Sequence, residues 1–241
     1  MRNIIQQDGL EQLEANLEHM LMKENAENMP GKPNFQYNPI DYLKEVHSER
    51  IHPSLREEAF LSILQFSVQT DCLDQTVMQG AHLADNYLRH NPNIQPGFLR
   101  IIYAVALEIA IKMNEQMILS LEDVASLFEN RFNVSMLCNL EKHILTLNNF
   151  RINVATPLDF ALHFCFLMCE TLTVKNNGMF ELEPESILNL AVSAMHFAMS
   201  QYDISRMKYS SIAVASICHV LQDINDDFME GLKQHQQEGP P

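Results

Sequence analysis

The chain has 241 residues, 46% of them hydrophobic, which is enough for one large domain or two small ones with real cores. Its formal net charge of -15 argues against nucleic acid or an anionic membrane as partner, because phosphate binding needs clustered Lys and Arg. No apolar run approaches the roughly eighteen uninterrupted residues that would cross a bilayer.

Residues 10–22 place Leu10, Leu13, Leu17, Met20 and Leu21 at helical spacing with acids between them, which predicts an amphipathic helix that packs on another surface. Pro30, Gly31, Pro33 and Pro39 mark the next stretch as linker. A short helical start runs from Ile40 to Val46, and Pro53 precedes the following helix. The apolar pattern then predicts helices over 54–68, 74–89, 97–113, 121–129 and 134–147, with a loop from Asn91 to Gly97. Ser120 with Asp123, before an apolar run, reads as a helix start. Thr156-Pro157 opens a second series over 157–173, 184–200 and 208–222, with a turn at Asn176-Asn177-Gly178. In Pro184-Glu185, the proline suits a first helical turn and the acid favours the positive end of the helix dipole. A brief helix from Ile224 to Leu232 and a polar, disordered tail complete the expected order. Strand patterns are scarce, so the fold class is all-α.

Five cysteines, Cys72, Cys138, Cys165, Cys169 and Cys218, lie in helical, apolar settings without framework spacing. Reduced, buried thiols in an intracellular protein are expected. Cys165 and Cys169 stand one turn apart with His163 nearby, but no second pair with ligand spacing joins them, so no metal is expected. Met1-Arg2-Asn3 leads into a polar segment rather than the apolar core of a signal peptide. A nucleophile elbow, a Gly-rich phosphate loop and a paired metal motif are all missing from the sequence, so neither a cofactor nor enzyme chemistry is expected.

The helix ending in Lys112 is the most informative. From Phe98 to Ile111 it is oily, with small Ala104, Ala106 and Ala110, and is built to be surrounded by other helices. A lysine at its end must snorkel, find an acid or serve a partner. Glu141, on a second amphipathic helix, is the candidate acid. Glu108, in the middle of the apolar helix, is expected at its rim. A weak internal repeat links Ala104-Val105-Ala106 to Ala213-Val214-Ala215, and at the same offset Lys112 corresponds to Leu221. Two similar helical modules follow, of which only the first carries the lysine.

An ordered set of landmarks over residues 40–222 resembles the cyclin family. Leu55-Arg56 matches the opening of its first box helix, and Asp85-Asn86-Tyr87-Leu88 its Asp-Arg-Tyr/Phe-Leu run. The stretch from Ile109 to Glu115 is similar to its Leu-Ala-Ser-Lys-Tyr-Glu-Glu segment. Leu140-Glu141, Ile144-Leu145 and Phe150 resemble its fifth helix and exit. The segments from Thr156 to Phe160 and from Tyr209 to Ala215 are similar to parts of its second box.

The resemblance implies tandem cyclin-box helical domains: an N-terminal extension at 1–39, a five-helix first box at 40–154, a shorter second box at 155–232 and a tail at 233–241. It implies a regulatory subunit, mitotic-like but divergent, that binds and activates a cyclin-dependent kinase catalytic subunit in cell-cycle control, in nucleus and cytoplasm. Lys112 and Glu141 match the family's lysine and glutamate that hold the kinase's mobile helix. Met113, Leu145, Phe150 and Ile152 match apolar positions framing the docking pocket. Arg56 and Asp85 match a structural pair that ties the first two box helices together. The alternative is a cyclin-fold adaptor, transcription-factor-like, without kinase activation; the acidic balance counts against a DNA-bound form.

Three features depart from the pattern or add to it. Asn86 replaces the usual arginine after Asp85. Glu58 and Ser62 stand where the family's substrate-docking patch has an aliphatic residue and a tryptophan. Lys23-Glu24-Asn25 resembles the degradation signal of cell-cycle proteins, which implies a ubiquitin ligase as a further partner; the same residues also suit a helix cap.

Overall fold

The computed structural model of the chain describes residues 2–28, 40–175 and 183–237, and among these every regular element is a helix. In chain order they are α1 (Arg2–Asn28), α2 (Tyr42–Glu45), α3 (Pro53–Thr70), α4 (Asp74–His90), α5 (Leu99–Asn114), α6 (Leu121–Leu127), α7 (Val134–Leu147), α8 (Pro157–Lys175), α9 (Pro184–Ser200), α10 (Tyr202–Ser205) and α11 (Tyr209–Gln237). A 3-10 turn, Pro96–Phe98, leads into α5. The predicted linker from Pro30 to Pro39 and the turn at Asn176-Asn177-Gly178 lie outside the described residues.

The chain divides into two compact units. The first unit gathers residues 36–156 with 198–207, and so holds α2 to α7 and α10; the second gathers 1–35, 157–197 and 208–241.

In the first unit α5 is the central helix, packed by α3, α4, α6 and α7. From Leu99 to Ile111 all of its side chains are buried except Arg100 and Ala104. Such a run is stable as a helix only when neighbours cover it on every side. The closest approach is at Gly80 on α4, where an added Cβ would stand 2.9 Å from Leu107 Cα. Glycine is what lets the two backbones meet there, and a larger residue would force them apart at a cost of about 1–3 kcal/mol.

Local chemistry sets the helix ends. Pro53 sits in the first turn of α3 behind His52, and α3 stops at Asp71 in a left-handed conformation, φ 54°. The start of α6 is the full capping box expected at Ser120 and Asp123. Asn133 caps α7 by accepting from the backbone N–H of Met136, 2.8 Å.

In the second unit α8 is packed by α1 and α11. Leu13, Leu17, Met20 and Leu21 are half-buried and the residues between them are mostly exposed, so the amphipathic stripe of α1 covers α8. Two expectations are corrected here. The helix expected over 10–22 extends to both sides, because no proline interrupts Arg2–Asn28. The separate helix expected at 224–232 and the first residues of the tail expected from 233 are instead one continuous helix: α11 runs without a break to Gln237, since nothing between Gln222 and Gln237 removes a backbone donor, and residues 238–241 lie outside the described residues.

Candidate partner-docking site

Lys112 and Glu141, twenty-nine residues apart, meet. Lys112 Nζ donates to Glu141 Oε1 at 2.7 Å, bringing the end of α5 against α7. The same ammonium forms an ion pair with Glu108, one turn back on α5. Glu108 corrects an expectation: it is not at the rim but fully buried, at 0% exposure. Among the described residues its Oε1 meets Lys112 as an ion pair, and neither carboxyl oxygen has a partner in hydrogen-bond geometry. Burial, with Glu141 nearby, pushes the Glu108 carboxyl up to about 7, although Lys112 pulls it back. Burial works against the Lys112 charge, but Glu108 and Glu141 outweigh it, and its pKa lies above the ordinary lysine value.

The remaining predicted site residues, at the end of α5, on α7 and in the segment after it, are exposed or half-exposed. Met113 and Phe150 are 57% and 66% exposed, while Leu145 and Ile152 are half-buried. Both edges of the site are braced from behind. Glu115, just past α5, accepts from Leu73 N at 2.9 Å and Thr76 Oγ1 at 2.6 Å, capping α4 and fixing the end of α5. Gln79 is buried on α4; its Oε1 accepts from Asn114 and its Nε2 donates to the Ile152 carbonyl, joining the α5 end to the exit segment. Asn86, the departure from the family run, donates to Asn148 Oδ1 at 2.8 Å, and Asn148 donates back to the Ile144 carbonyl at 2.9 Å. This holds the turn after α7, where Asn149 and Phe150 adopt φ of 50° and 55°. A left-handed phenylalanine is uncommon and strained. Its backbone N–H closes the turn on Leu145 O at 2.9 Å.

Arg56 and Asp85 form a buried, bidentate ion pair, Nη2 to Oδ2 at 2.7 Å and Nε to Oδ1 at 3.2 Å. Tyr42 donates to Asp85 Oδ1 at 2.7 Å, and Tyr103 donates to the same oxygen. Burial alone would raise the Asp85 pKa, but the Arg56 charge and these donors hold it below the usual carboxylate range. Arg56 spends a third nitrogen on the carbonyls of Met199 and Ser200, 3.0 Å for the latter, both of which belong to the same unit.

Glu58 is exposed, and Ser62 turns its hydroxyl to Ala59 O at 2.7 Å. In the second unit, Glu24 accepts from Ser210 N at 3.1 Å and Ser210 Oγ at 2.6 Å, and Asn25 Oδ1 accepts from Lys208 Nζ at 2.6 Å. The tripeptide is therefore helical, with Glu24 and Asn25 engaged, and its glutamate caps α11 rather than its own helix. Cys165 and Cys169 are buried, and burial pushes Cys165 up to about 11. The expectation of five buried thiols is corrected by Cys138 and Cys218, which are exposed because they lie on the outer faces of α7 and α11.

With this geometry, known proteins give a consistent match. The family model for the cyclin N-terminal domain matches residues 21–153. The chain belongs to the cyclin family. Among curated relatives, this cyclin is similar to Cyclin-D2-1 of Oryza sativa subsp. japonica, 30% identical over 129 residues. That match covers 52% of this chain and 42% of the relative, so it spans less than half of the relative's length. Among solved structures, a viral cyclin from herpesvirus saimiri shares the fold with a TM-score of 0.66, covering 87% of this chain and 82% of its own at 15% identity. The all-helical cyclin-box fold is thereby established.

Sequence reasoning missed Glu108, Gln79 and Asn148 as parts of this cyclin's site. Only Glu108 left a signal: an acid four residues before Lys112 on one helix face is an ion-pair spacing.

Proposed function

We propose that this cyclin binds a cyclin-dependent protein kinase catalytic subunit through the α5–α7 edge and favours the kinase's active state. The observation that carries the reading is an ammonium in contact with two carboxylates at the end of α5, with Met113 beside it in the chain and Phe150 after α7 both exposed. A kinase is active only when a glutamate of its mobile helix pairs with its ATP-contacting lysine. A regulatory protein that binds the inward position of that helix more tightly than the outward one shifts the population toward activity. Met113, Leu145, Phe150 and Ile152 offer the apolar socket for the helix, and Lys112 offers donors to carbonyls at its end. Cell-cycle control is the setting, in keeping with the names of the similar proteins.

The test is a titration of purified cyclin-dependent kinase catalytic subunit with the wild-type chain, Lys112→Ala and Glu141→Ala, reading both affinity and phosphotransfer. Each variant should weaken binding by about thirtyfold or more, the scale of an interface hot spot. Unchanged affinity in both would sink the assignment. Tight binding without any rise in phosphotransfer would instead favour the adaptor role.

A further inference from the structure

Glu108 is a locally unfavourable choice. A carboxylate in the middle of a core helix, fully buried with the Lys112 ion pair as its compensation and neither oxygen in a well-aligned hydrogen bond, costs free energy that an aliphatic residue would not. Residues that break the local rules in this way concentrate where structure serves a function. The position of Glu108 suggests which function. It lies one turn before Lys112 on α5 and meets the same ammonium that Glu141 meets from α7.

We infer that Glu108 is a positioning residue for partner docking: Glu108 from α5 and Glu141 from α7 together hold the Lys112 ammonium and leave its exposed part for the partner. This rests on the docking role of Lys112 proposed above. An ammonium carries three donors. Two are taken by carboxylates on α5 and α7, and the side chain stays 43% exposed. A lysine fixed in this way has already lost most of its rotamer freedom, so ordering it costs little when the partner arrives. With Glu141 alone, the long side chain could swing about a single contact.

The arrangement also makes docking depend on pH. The charged groups acting on Glu108 are Lys112 from its own helix and Glu141 from α7. On the other helices packed against α5, Arg56 of α3 and Asp85 of α4 neutralise each other, and Glu122 and Asp123 are exposed on the first turn of α6. Also on α7, Lys142 is exposed and His143 is engaged with Tyr87. Glu108 is charged above about pH 7 and neutral below it. Protonation leaves Lys112 with one strong anchor instead of two.

The experiment compares kinase affinity at pH 8 and pH 6 for the wild-type chain and Glu108→Gln, with Lys112→Ala as reference. At pH 8 the glutamine variant should bind about tenfold more weakly than wild type, the scale of one charged hydrogen bond. Wild type should lose most of that factor on going to pH 6, and the variant should show a flat profile. Equal affinity at pH 8, or the same pH slope in both proteins, overturns the inference. A second arm needs neither kinase nor a folded glutamine variant. In carboxyl carbon NMR of the full chain, the Glu108 midpoint should move upward when Lys112 becomes Met, and an unmoved midpoint overturns the pairing. If wild type binds no kinase at either pH, the docking reading fails, and the NMR arm still decides whether Glu108 holds Lys112.

Discussion

Lys112 Nζ lies 2.7 Å from Glu141 Oε1, yet the lysine side chain remains 43% exposed. A pair so open to water contributes only about 0–1 kcal/mol to folding. Glu141→Ala should therefore lower stability by less than about 1 kcal/mol in urea unfolding at any pH from 6 to 8. Lys112→Ala should differ, because it leaves Glu108 buried without its cation. The Glu108 pKa, already raised in the fold, rises further, so the folded state binds its proton more tightly than the unfolded state does. Stability then falls as pH rises through that interval. The excess loss of Lys112→Ala over Glu141→Ala should be larger at pH 8 than at pH 6, and equal losses would show that Glu108 and Lys112 are not coupled.

Phe150 separates stability from docking at a single position. Its φ of 55° places a bulky residue in the left-handed region, which costs about 1–2 kcal/mol, and its ring is mostly exposed, so little packing offsets the strain. Phe150→Gly should raise the unfolding free energy by up to about 1 kcal/mol, while Phe150→Ala should leave it nearly unchanged. Both should weaken kinase binding alike, since both remove the ring. Calorimetric melts alongside binding titrations decide this. A loss of stability in the glycine variant would mean that the ring is held by packing and not merely displayed.

Arg56 is the opposite case, fully buried and bound to Asp85 and to two carbonyls of the chain near Ser200. Arg56→Met should cost about 3–5 kcal/mol, because Asp85 keeps its charge without its partner. The folded-state pKa of Asp85 lies below the ordinary carboxylate value of about 4. The stability it contributes is complete above that value and is lost as pH falls toward the folded pKa. Acid unfolding followed by circular dichroism should show wild type holding below about pH 4, with the midpoint of Arg56→Met displaced upward. An unchanged midpoint would show that the pair carries no pH-linked stability.

The helices were legible wherever apolar periodicity and end chemistry agreed. The span of α7 matches the expected 134–147, and α4 differs from its expectation by one residue, because Asn133 and the turn after His90 punctuate the pattern. The length of α11 was not legible. Its apolar stripe fades after Leu221, and a pattern reader stops there although no residue breaks the helix. At the site, Lys112 and Glu141 stood out as charges on otherwise apolar faces. Gln79 and Asn148 did not, since their partners, Ile152 and Asn86, lie 73 and 62 residues away and only tertiary packing brings them together. Glu108 was misjudged because a mid-helix acid is usually solvated, and only its pairing with Lys112 makes burial tolerable.

The Glu24–Ser210 contact sets two roles of one tripeptide against each other. Glu24 takes both the N–H and the hydroxyl of Ser210, placing a carboxylate at the positive start of α11. A ligase reading Lys23, Glu24 and Asn25 would need Glu24 and Asn25 released from Ser210 and Lys208. Ser210→Ala removes one hydrogen bond without altering the tripeptide, and should cost about 1 kcal/mol of stability. If the released tripeptide is a degradation signal, Ser210→Ala should shorten the protein's lifetime in dividing cells, while alanine at all three of Lys23, Glu24 and Asn25 should lengthen it despite losing the same cap. A purely structural clasp predicts that both proteins are less stable and that both decay faster. Cycloheximide-chase decay curves, read beside melting curves of the purified proteins, therefore separate the roles by the direction in which the triple variant moves.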